Sequence, residues 1–368
     1  MDYQKFSEHI KENIKGVMPE KYQKATVSIQ SVEKNNGMML DGLTVILPDS
    51  NMSPAIYLNK WYEKYLAGES MEDILQHIRE VLQNNMELNQ FDLSSVLEFE
   101  NVKDHIILKV VGLDANRNRL QGVPHMVQED MAFTYHIMVE HDKSGTGTIP
   151  INQMIFENYS ISVEELHDIA MKNTVKQFPV TFQNMKEVMR EIMGKEMSGA
   201  DLIEQDELKD ALDETFNDGN REEVYPMYVV TNKEKLNGAA ALFYPGVMEL
   251  IAEKLGGDFF ILPSSVHEML VVPDSGTIKY HELRNMVQEV NATQVAVDDV
   301  LTGQVYSYDA KDKIFERADH KEVRIAGKKE KGEERPAIMD KLRENREAIQ
   351  EKGNMKAVTK KVEAGLEI

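Results

Sequence analysis

The segment Pro263–Glu268 carries the side chains of this sequence that best fit nucleophilic chemistry: Ser264, Ser265, His267 and Glu268. A serine nucleophile needs a base within hydrogen-bond reach and a third group that orients the base. Extended backbone would place Ser265 and His267 on one face. The segment also follows a predicted strand, and open α/β sheets bind ligands beyond the carboxyl ends of their strands. These four are the candidate catalytic residues. The alternative is a polar turn whose serine and histidine satisfy backbone groups.

A second candidate is a calcium loop that begins at Asp142. Asp142, Ser144 and Thr146 match positions one, three and five of an EF-hand loop. Position twelve is Gln153, which does not supply the bidentate carboxylate of an EF-hand, and both flanks are rich in β-branched residues. We therefore expect a glycine-rich hairpin turn and no metal.

Other cofactor signatures are missing from the sequence. His136, Glu140 and His141 do not have the His-Glu-x-x-His spacing, and two strand residues five apart point to opposite faces. No glycine-rich phosphate-binding motif occurs, and a chain with 0 cysteines has no thiolate nucleophile or thiolate metal ligand. We expect no cofactor.

The charge of the chain is strongly negative, with a formal net charge of -21. Residues 321–368 hold 13 basic and 10 acidic residues, which leaves 29 basic and 53 acidic residues in 1–320. Such a body repels nucleic acid and anionic lipid, so we expect neither direct nucleic-acid binding nor membrane association. The first residues are charged, and no apolar run approaches ~18 residues. Together with the lack of cysteine, this predicts a cytoplasmic protein.

Hydrophobic periodicity predicts helices and strands along most of the chain. Residues 25–47 are typical of a β-hairpin around an Asn-Asn-Gly turn, and Ser70 and Ser162 are candidate helix caps. The predicted helices cover 3–15, 54–86 (two helices), 162–177, 183–193, 245–255 and 279–290. The predicted strands cover 106–111, 131–141, 147–156, 227–230, 238–244, 259–262, 268–272 and 305–308.

These elements predict an α+β fold with mixed sheets, helices and two lobes, the C-terminal lobe being a small α/β layer. The boundary is placed where acidic residues dominate and apolar periodicity fades. The predicted parts are an N-terminal α+β lobe at 1–197, an acidic linker at 198–224, a C-terminal α/β lobe at 225–318 and a charged, partly helical or disordered tail at 319–368.

Several segments carry a resemblance to a known family. The most specific are 227–232 (Met-Tyr-Val-Val-Thr-Asn), 238–246 (Gly-Ala-Ala-Ala-Leu-Phe-Tyr-Pro-Gly), 262–268 (Leu-Pro-Ser-Ser-Val-His-Glu) and 290–295 (Val-Asn-Ala-Thr-Gln-Val). Over roughly residues 1–316 the sequence resembles an uncharacterised domain-of-unknown-function family of Gram-positive gut bacteria, numbered fifty-six eighty-eight. The resemblance implies a domain extent and a bacterial cytoplasmic origin, and no activity. Residues 334–343 are similar to short tail motifs of proteins encoded by conjugative elements, which implies a mobile-element setting.

Three functional hypotheses stay open at this point. The first is a non-catalytic accessory or interaction protein of a bacterial, mobile-element system, with a protein partner bound through the tail 319–368. The second is an enzyme or small-molecule-binding protein that uses the loop 263–268 with Tyr244 or His281 nearby. The third is an acidic nucleic-acid mimic, which would require acids at phosphate-like spacing on one face.

Overall fold

The computed structural model describes residues 1–48, 55–85, 93–142, 145–197 and 226–327. The predicted linker 198–224 and most of the predicted tail lie outside these residues. Within them, no helix is long and apolar enough to cross a membrane. Every strand pairing in the described part is antiparallel, and helices accompany the sheets throughout, so the α+β prediction is confirmed.

The described residues of 1–48 and 55–85 pack around a hydrophobic core of their own. The elements described there are α1 (Tyr3–Val17), β1 (Thr26–Glu33), β2 (Met39–Ile46), β3 (Ile56–Tyr57), α2 (Leu58–Leu66) and α3 (Met71–Asn85). Helix α1 starts at the N-cap Asp2 and buries Phe6 and Ile10 at helical spacing. At the turn of the β1–β2 hairpin, Asn36 has φ 59°, a left-handed conformation that asparagine tolerates. The predicted helix and hairpin are confirmed.

The remaining described residues form two antiparallel sheets and the helices around them. Their elements are α4 (Phe99–Val102), β4 (Ile106–Gly112), α5 (Arg117–Leu120), β5 (His125–Gln128), β6 (Met131–Asp142), β7 (Gly145–Pro150), α6 (Gln153–Glu157), α7 (Val163–Gln177), β8 (Val180–Asn184), α8 (Met185–Met197), β9 (Tyr228–Asn232), α9 (Val247–Leu255), β10 (Phe259–Ser265), β11 (Glu268–Pro273), α10 (Tyr280–Thr293), β12 (Tyr306–Asp309) and β13 (Ile314–Arg317). Strands β4, β6 and β5 are neighbours in one sheet, in which β7 also pairs with β6. The other sheet has the order β13-β12-β10-β11-β9-β8.

The two sheets share one hydrophobic core. Leu108 and Phe133 of the first sheet belong to the same buried cluster as Ile261 and Tyr306 of the second. Strand β8 lies before the predicted linker in the chain. It nevertheless forms the edge of the six-stranded sheet, whose other strands all come after the predicted linker. The described residues are therefore grouped as a small unit at 1–85 and a larger unit with a common core. The predicted lobe boundaries stay a prediction, because the linker itself is not described.

The segment Gly238–Phe243 was expected to be a strand, and the structure shows a 3₁₀ helix instead. The backbone at Gly238 passes so close to β9 that an added Cβ would lie 2.0 Å from Thr231 Oγ1 and 2.5 Å from the His267 carbonyl oxygen. Asn237, just before it, has φ 51° and turns the chain into this contact. The three alanines of this 3₁₀ helix are small enough for it to lie buried between the sheets.

Several local predictions are confirmed by the contacts at element ends. Ser162 Oγ accepts a hydrogen bond from Glu165 N at 3.1 Å, which caps α7. Ser70 Oγ likewise accepts from Asp73 N at 3.1 Å at the start of α3. Strands β3, β5, β8 and β13 were not predicted, since each is at most five residues long and its pairing partner sets its conformation. The predicted strand 147–156 is wrong over its C-terminal part, because β7 ends at Pro150 and Gln153–Glu157 form the helix α6.

The first part of the charged tail is ordered against the six-stranded sheet. Residues 318–327 form a helix, α11. Lys321 Nζ lies 2.9 Å from Asp258 Oδ2 and 3.2 Å from Asp274 Oδ2. Arg324 pairs with Asp309 at 2.8 Å. Because Lys321 is buried and pairs with two carboxylates, these bonds fix the helix to the strand ends.

Candidate functional site

A cleft of about 460 Å³ lies between the two sheets. It is bounded by β5, α7, the 3₁₀ helix, α9 and the strands β12 and β13. The ring of Phe243 packs edge-on against Phe133, with centroids 5.1 Å apart, and against Phe315, with centroids 5.3 Å apart. These three rings form a fixed aromatic wall, since such edge-to-face pairs are favourable. Met126, Met171 and Met248 line the rest of the cleft with adaptable side chains.

Six polar side chains also line this cleft: Gln128, His167, Tyr244, Glu249, Tyr308 and Lys313. His167 Nδ1 lies 3.2 Å from the Tyr135 hydroxyl, and burial lowers the pKa of His167, which keeps the ring neutral at pH 7. Glu249 and Lys313 face each other at 3.8 Å near solvent. A mostly apolar lining with a few placed polar groups is typical of small-molecule sites.

Tyr308 is a polar residue of the cleft whose hydroxyl lacks a hydrogen-bond partner among the described residues. It is 3% exposed, and its buried hydroxyl makes no hydrogen bond with any described residue. Burial raises the pKa of Tyr308, and the nearby Glu249 carboxylate raises it further, so the hydroxyl keeps its proton. Buried hydroxyls almost always have a partner, so the Tyr308 hydroxyl is an unsatisfied polar group in the described wall of the cleft.

The loop that carries the candidate catalytic residues lies in the tight turn between β10 and β11. Ser265 Oγ accepts a hydrogen bond from the His267 backbone N–H at 3.0 Å. Ser264 Oγ donates to Glu268 Oε1 at 3.2 Å. These bonds are local to the turn and hold its shape.

Both ring nitrogens of His267 are engaged. Nδ1 accepts a hydrogen bond from the Asn237 backbone N–H at 3.1 Å, which leaves the ring proton on Nε2, 3.2 Å from Asp299 Oδ1. Neither nitrogen is paired with Ser264 or Ser265, so the structure does not bring the four candidates together as nucleophile and base. Their catalytic role stays a prediction, and the ring of His267 links Asn237 to Asp299.

The two candidate neighbours of this loop have other contacts. Tyr244 donates its hydroxyl to the Phe178 carbonyl oxygen at 3.0 Å and turns its ring towards the apolar cleft. His281 is exposed on α10 and packs on Tyr280, with ring centroids 3.9 Å apart.

The region of the candidate calcium loop is a β-hairpin. Asp142 pairs with Gly145, and His141 pairs with Thr146, so strands flank the turn where an EF-hand has helices. Ser144 and the side chains of 140–146 lie outside the description. His136 is buried beside Thr134, with Nε2 3.2 Å from Thr134 Oγ1. In the described part of the chain no group of three metal-binding side chains occurs.

The sequence did not indicate the aromatic cleft, because its residues come from seven elements between Met126 and Phe315 and form no motif. The 22 methionines are the one compositional signal of adaptable apolar surface, and their number fits core filling equally well.

Comparison with known proteins gives a family without an assigned activity. A family model described as "Family of unknown function (DUF5688)" matches residues 3–310. No curated protein and no solved structure matches the chain. The match covers nearly all of the small N-terminal unit and both sheets except β13, so Lys313 and Phe315 of the cleft lie beyond it.

Proposed function

The chain belongs to this family of unknown function, DUF5688, and we propose that it is a non-catalytic binding protein. Its ligand is a small, largely apolar molecule with a flat ring system and one hydrogen-bonding group. The observation that carries the proposal is the cleft of about 460 Å³ with the buried, unpartnered hydroxyl of Tyr308.

The size and lining of the cleft support a small molecule as the ligand. Small-molecule sites span roughly 300–1,000 Å³ and are lined mainly by apolar and aromatic side chains. The aromatic wall of Phe133, Phe243 and Phe315 offers ring edges to a flat ligand. Met171 and Met248 can adjust to its outline, because the methionine side chain is unbranched and flexible.

The absence of a reacting pair supports binding rather than catalysis at this cleft. Among the described residues that line it there is no serine, threonine or cysteine. His167, the one histidine there, is bonded to a tyrosine hydroxyl. A nucleophile activated by a base is the minimum for covalent catalysis, and the described lining does not supply one.

The cleft is tested with the uncharged fluorescent probe N-phenyl-1-naphthylamine on the full-length protein. We expect saturable binding that Met248→Glu weakens by about tenfold or more, because a carboxylate in the wall must be desolvated when the probe binds. Leu250→Glu is the matched control, since Leu250 is on the same helix, is 58% exposed and does not line the cleft. Equal effects of the two substitutions, or no saturable binding, would overturn the proposal.

The accessory role expected from the sequence is compatible with a binding protein and remains a proposal. Its partner would bind the basic part of the tail beyond α11, because Lys321 and Arg324 of α11 are already paired with the sheet. A truncation after Gly327 therefore removes the segment proposed to bind the partner and keeps α11. Capture of one partner by both the full chain and this truncation would contradict a tail-dependent interaction.

A further inference from the structure

A second site lies on the outer face of the four-stranded sheet, away from the aromatic cleft. Lys109 of β4 is directly opposite Thr134 of β6, and His136 follows on the same face. Arg119 of α5 and His136 line a small cavity there, together with Thr134 and Asn116. Three cationic or potentially cationic side chains thus meet on one side of the sheet.

The tip of the N-terminal hairpin closes over this face. Asn36 N donates to Asn116 Oδ1 at 3.0 Å, and Asn116 Nδ2 donates back to Asn36 Oδ1 at 3.0 Å. This contact brings Lys34 within electrostatic reach of Lys109, and Glu33 within reach of Arg119. The site is therefore built from both the small N-terminal unit and the larger unit.

The positive charges of this site are not neutralised by the described residues. Lys109 Nζ donates to Thr148 Oγ1 at 3.0 Å and has no carboxylate partner within ion-pair distance there. The Arg119 guanidinium makes no hydrogen bond to any described residue, although it carries five N–H donors. Counting Lys34, Lys109 and Arg119 against Glu33 leaves two positive charges, provided that His136 is neutral.

His136 is neutral because of its surroundings. Burial lowers its pKa well below the ordinary value, and the charges of Lys109 and Arg119 lower it further. Burial, with help from Arg119 and Lys34, also lowers the pKa of Lys109 to about 8, so this ammonium is mostly protonated at pH 7. Arginine does not deprotonate in proteins, so a bound anion would compensate the charge of the partly buried Arg119.

We propose that Arg119 and Lys109 bind a phosphate group, one oxygen of which enters the cavity beside Thr134 and His136. The cavity has about 10 Å³ of space, room for one water-sized atom, and opens to one side where the rest of the group would lie. A phosphate carries about −1.5 to −2 charges at pH 7, which matches the two positive charges of the site. Arginine and lysine are the side chains that bind phosphate most often.

The test is calorimetric titration of the full-length protein with inorganic phosphate at pH 7 and constant ionic strength. We expect Arg119→Gln to weaken phosphate binding by about tenfold or more, the loss of one charge-assisted contact. Arg117→Gln is the matched control, because Arg117 is exposed on the same short helix and pairs with Asp114 at 2.6 Å. We expect this control to bind phosphate as the unchanged protein does. No binding to the unchanged protein, or equal losses in both variants, would overturn the proposal.

A second measurement separates loss of binding from misfolding. In phosphate-free buffer, Arg119→Gln should keep or raise the midpoint of urea unfolding, since it removes an uncompensated charge. A lower midpoint would show that Arg119 is paired within the protein and would contradict the site. Adenosine 5′-monophosphate in place of phosphate identifies the source. Tighter binding of the nucleotide assigns the site to a phosphomonoester, and tighter binding of inorganic phosphate assigns it to the free anion.

Discussion

Replacing Tyr308 by phenylalanine removes one oxygen atom from the wall of the cleft. The ring of Tyr308 stacks on Phe259 with centroids 5.3 Å apart, and the substitution keeps this contact. The hydroxyl is buried without a partner among the described residues, an arrangement that costs about 1–3 kcal/mol. We therefore expect Tyr308→Phe to leave the free energy of unfolding unchanged or to raise it by up to about 2 kcal/mol.

Tyr244→Phe makes the same chemical change at a site where the hydroxyl is used. Tyr244 is 4% exposed, nearly as buried as Tyr308, and also lines the cleft. Its hydroxyl donates to the Phe178 carbonyl oxygen at 3.0 Å. Losing this bond should lower the free energy of unfolding by about 1–2 kcal/mol. Tyr244→Phe should thus lower the free energy of unfolding, whereas Tyr308→Phe should not.

Urea unfolding of the full-length protein without added ligand measures both variants under one condition. If Tyr308→Phe destabilises the protein as much as Tyr244→Phe, the Tyr308 hydroxyl has a partner and does not mark a ligand contact. Binding adds a second criterion. In competition with the fluorescent probe, the unchanged protein should prefer 1-naphthol over naphthalene, and Tyr308→Phe should reduce this preference by about tenfold.

Two further predictions concern the framework around the cleft. Gly238→Ala should lower the free energy of unfolding, measured in urea, by at least about 2 kcal/mol, because the added Cβ would lie 2.0 Å from Thr231 Oγ1. Gly257→Ala, whose added Cβ would have nothing within 4 Å, should change this free energy by less than about 0.5 kcal/mol. Similar effects of the two substitutions would refute the close approach at Gly238. Backbone N–H bonding from Asp312, together with Arg324, lowers the pKa of Asp309, so its contribution to stability is present above the ordinary aspartate pKa of about 4 and is lost as the pH falls through the lowered pKa. Urea midpoints measured from pH 6 to pH 3 should fall less steeply for Arg324→Met, and an unchanged slope would contradict this pairing.

The parts of the fold that the sequence predicts are those whose causes are local. The hairpin at 25–47 follows from strand alternation and an Asn-Asn-Gly turn, all within one short stretch. The cap of α7 depends on Ser162 and a residue three positions later. Such features need no information about distant parts of the chain, and the structure confirms them.

The 3₁₀ helix Gly238–Phe243 shows where local reasoning fails. Its apolar run fits a buried strand, and only the close approach of Gly238 to Thr231 and to the His267 carbonyl decides against one. The loop 263–268, in the turn between β10 and β11, is a second example, because the spacing of its serines and histidine suggests catalysis. Ser265 and His267 are neighbours in sequence, and neighbours mostly bond to their own turn, as the 3.0 Å bond from His267 N to Ser265 Oγ shows.

The net charge of -21 illustrates a different limit of sequence reasoning. A chain-wide charge describes the surface at long range, and at physiological salt such fields fade over about 8 Å. The group of Lys34, Lys109 and Arg119 is assembled by β4, α5 and the tip of the hairpin, and its local field does not depend on carboxylates elsewhere. An acidic protein that repels nucleic acid can therefore still bind a single phosphate group. Because Arg117 and Arg119 contribute equally to the net charge, a difference between their glutamine variants isolates this local field.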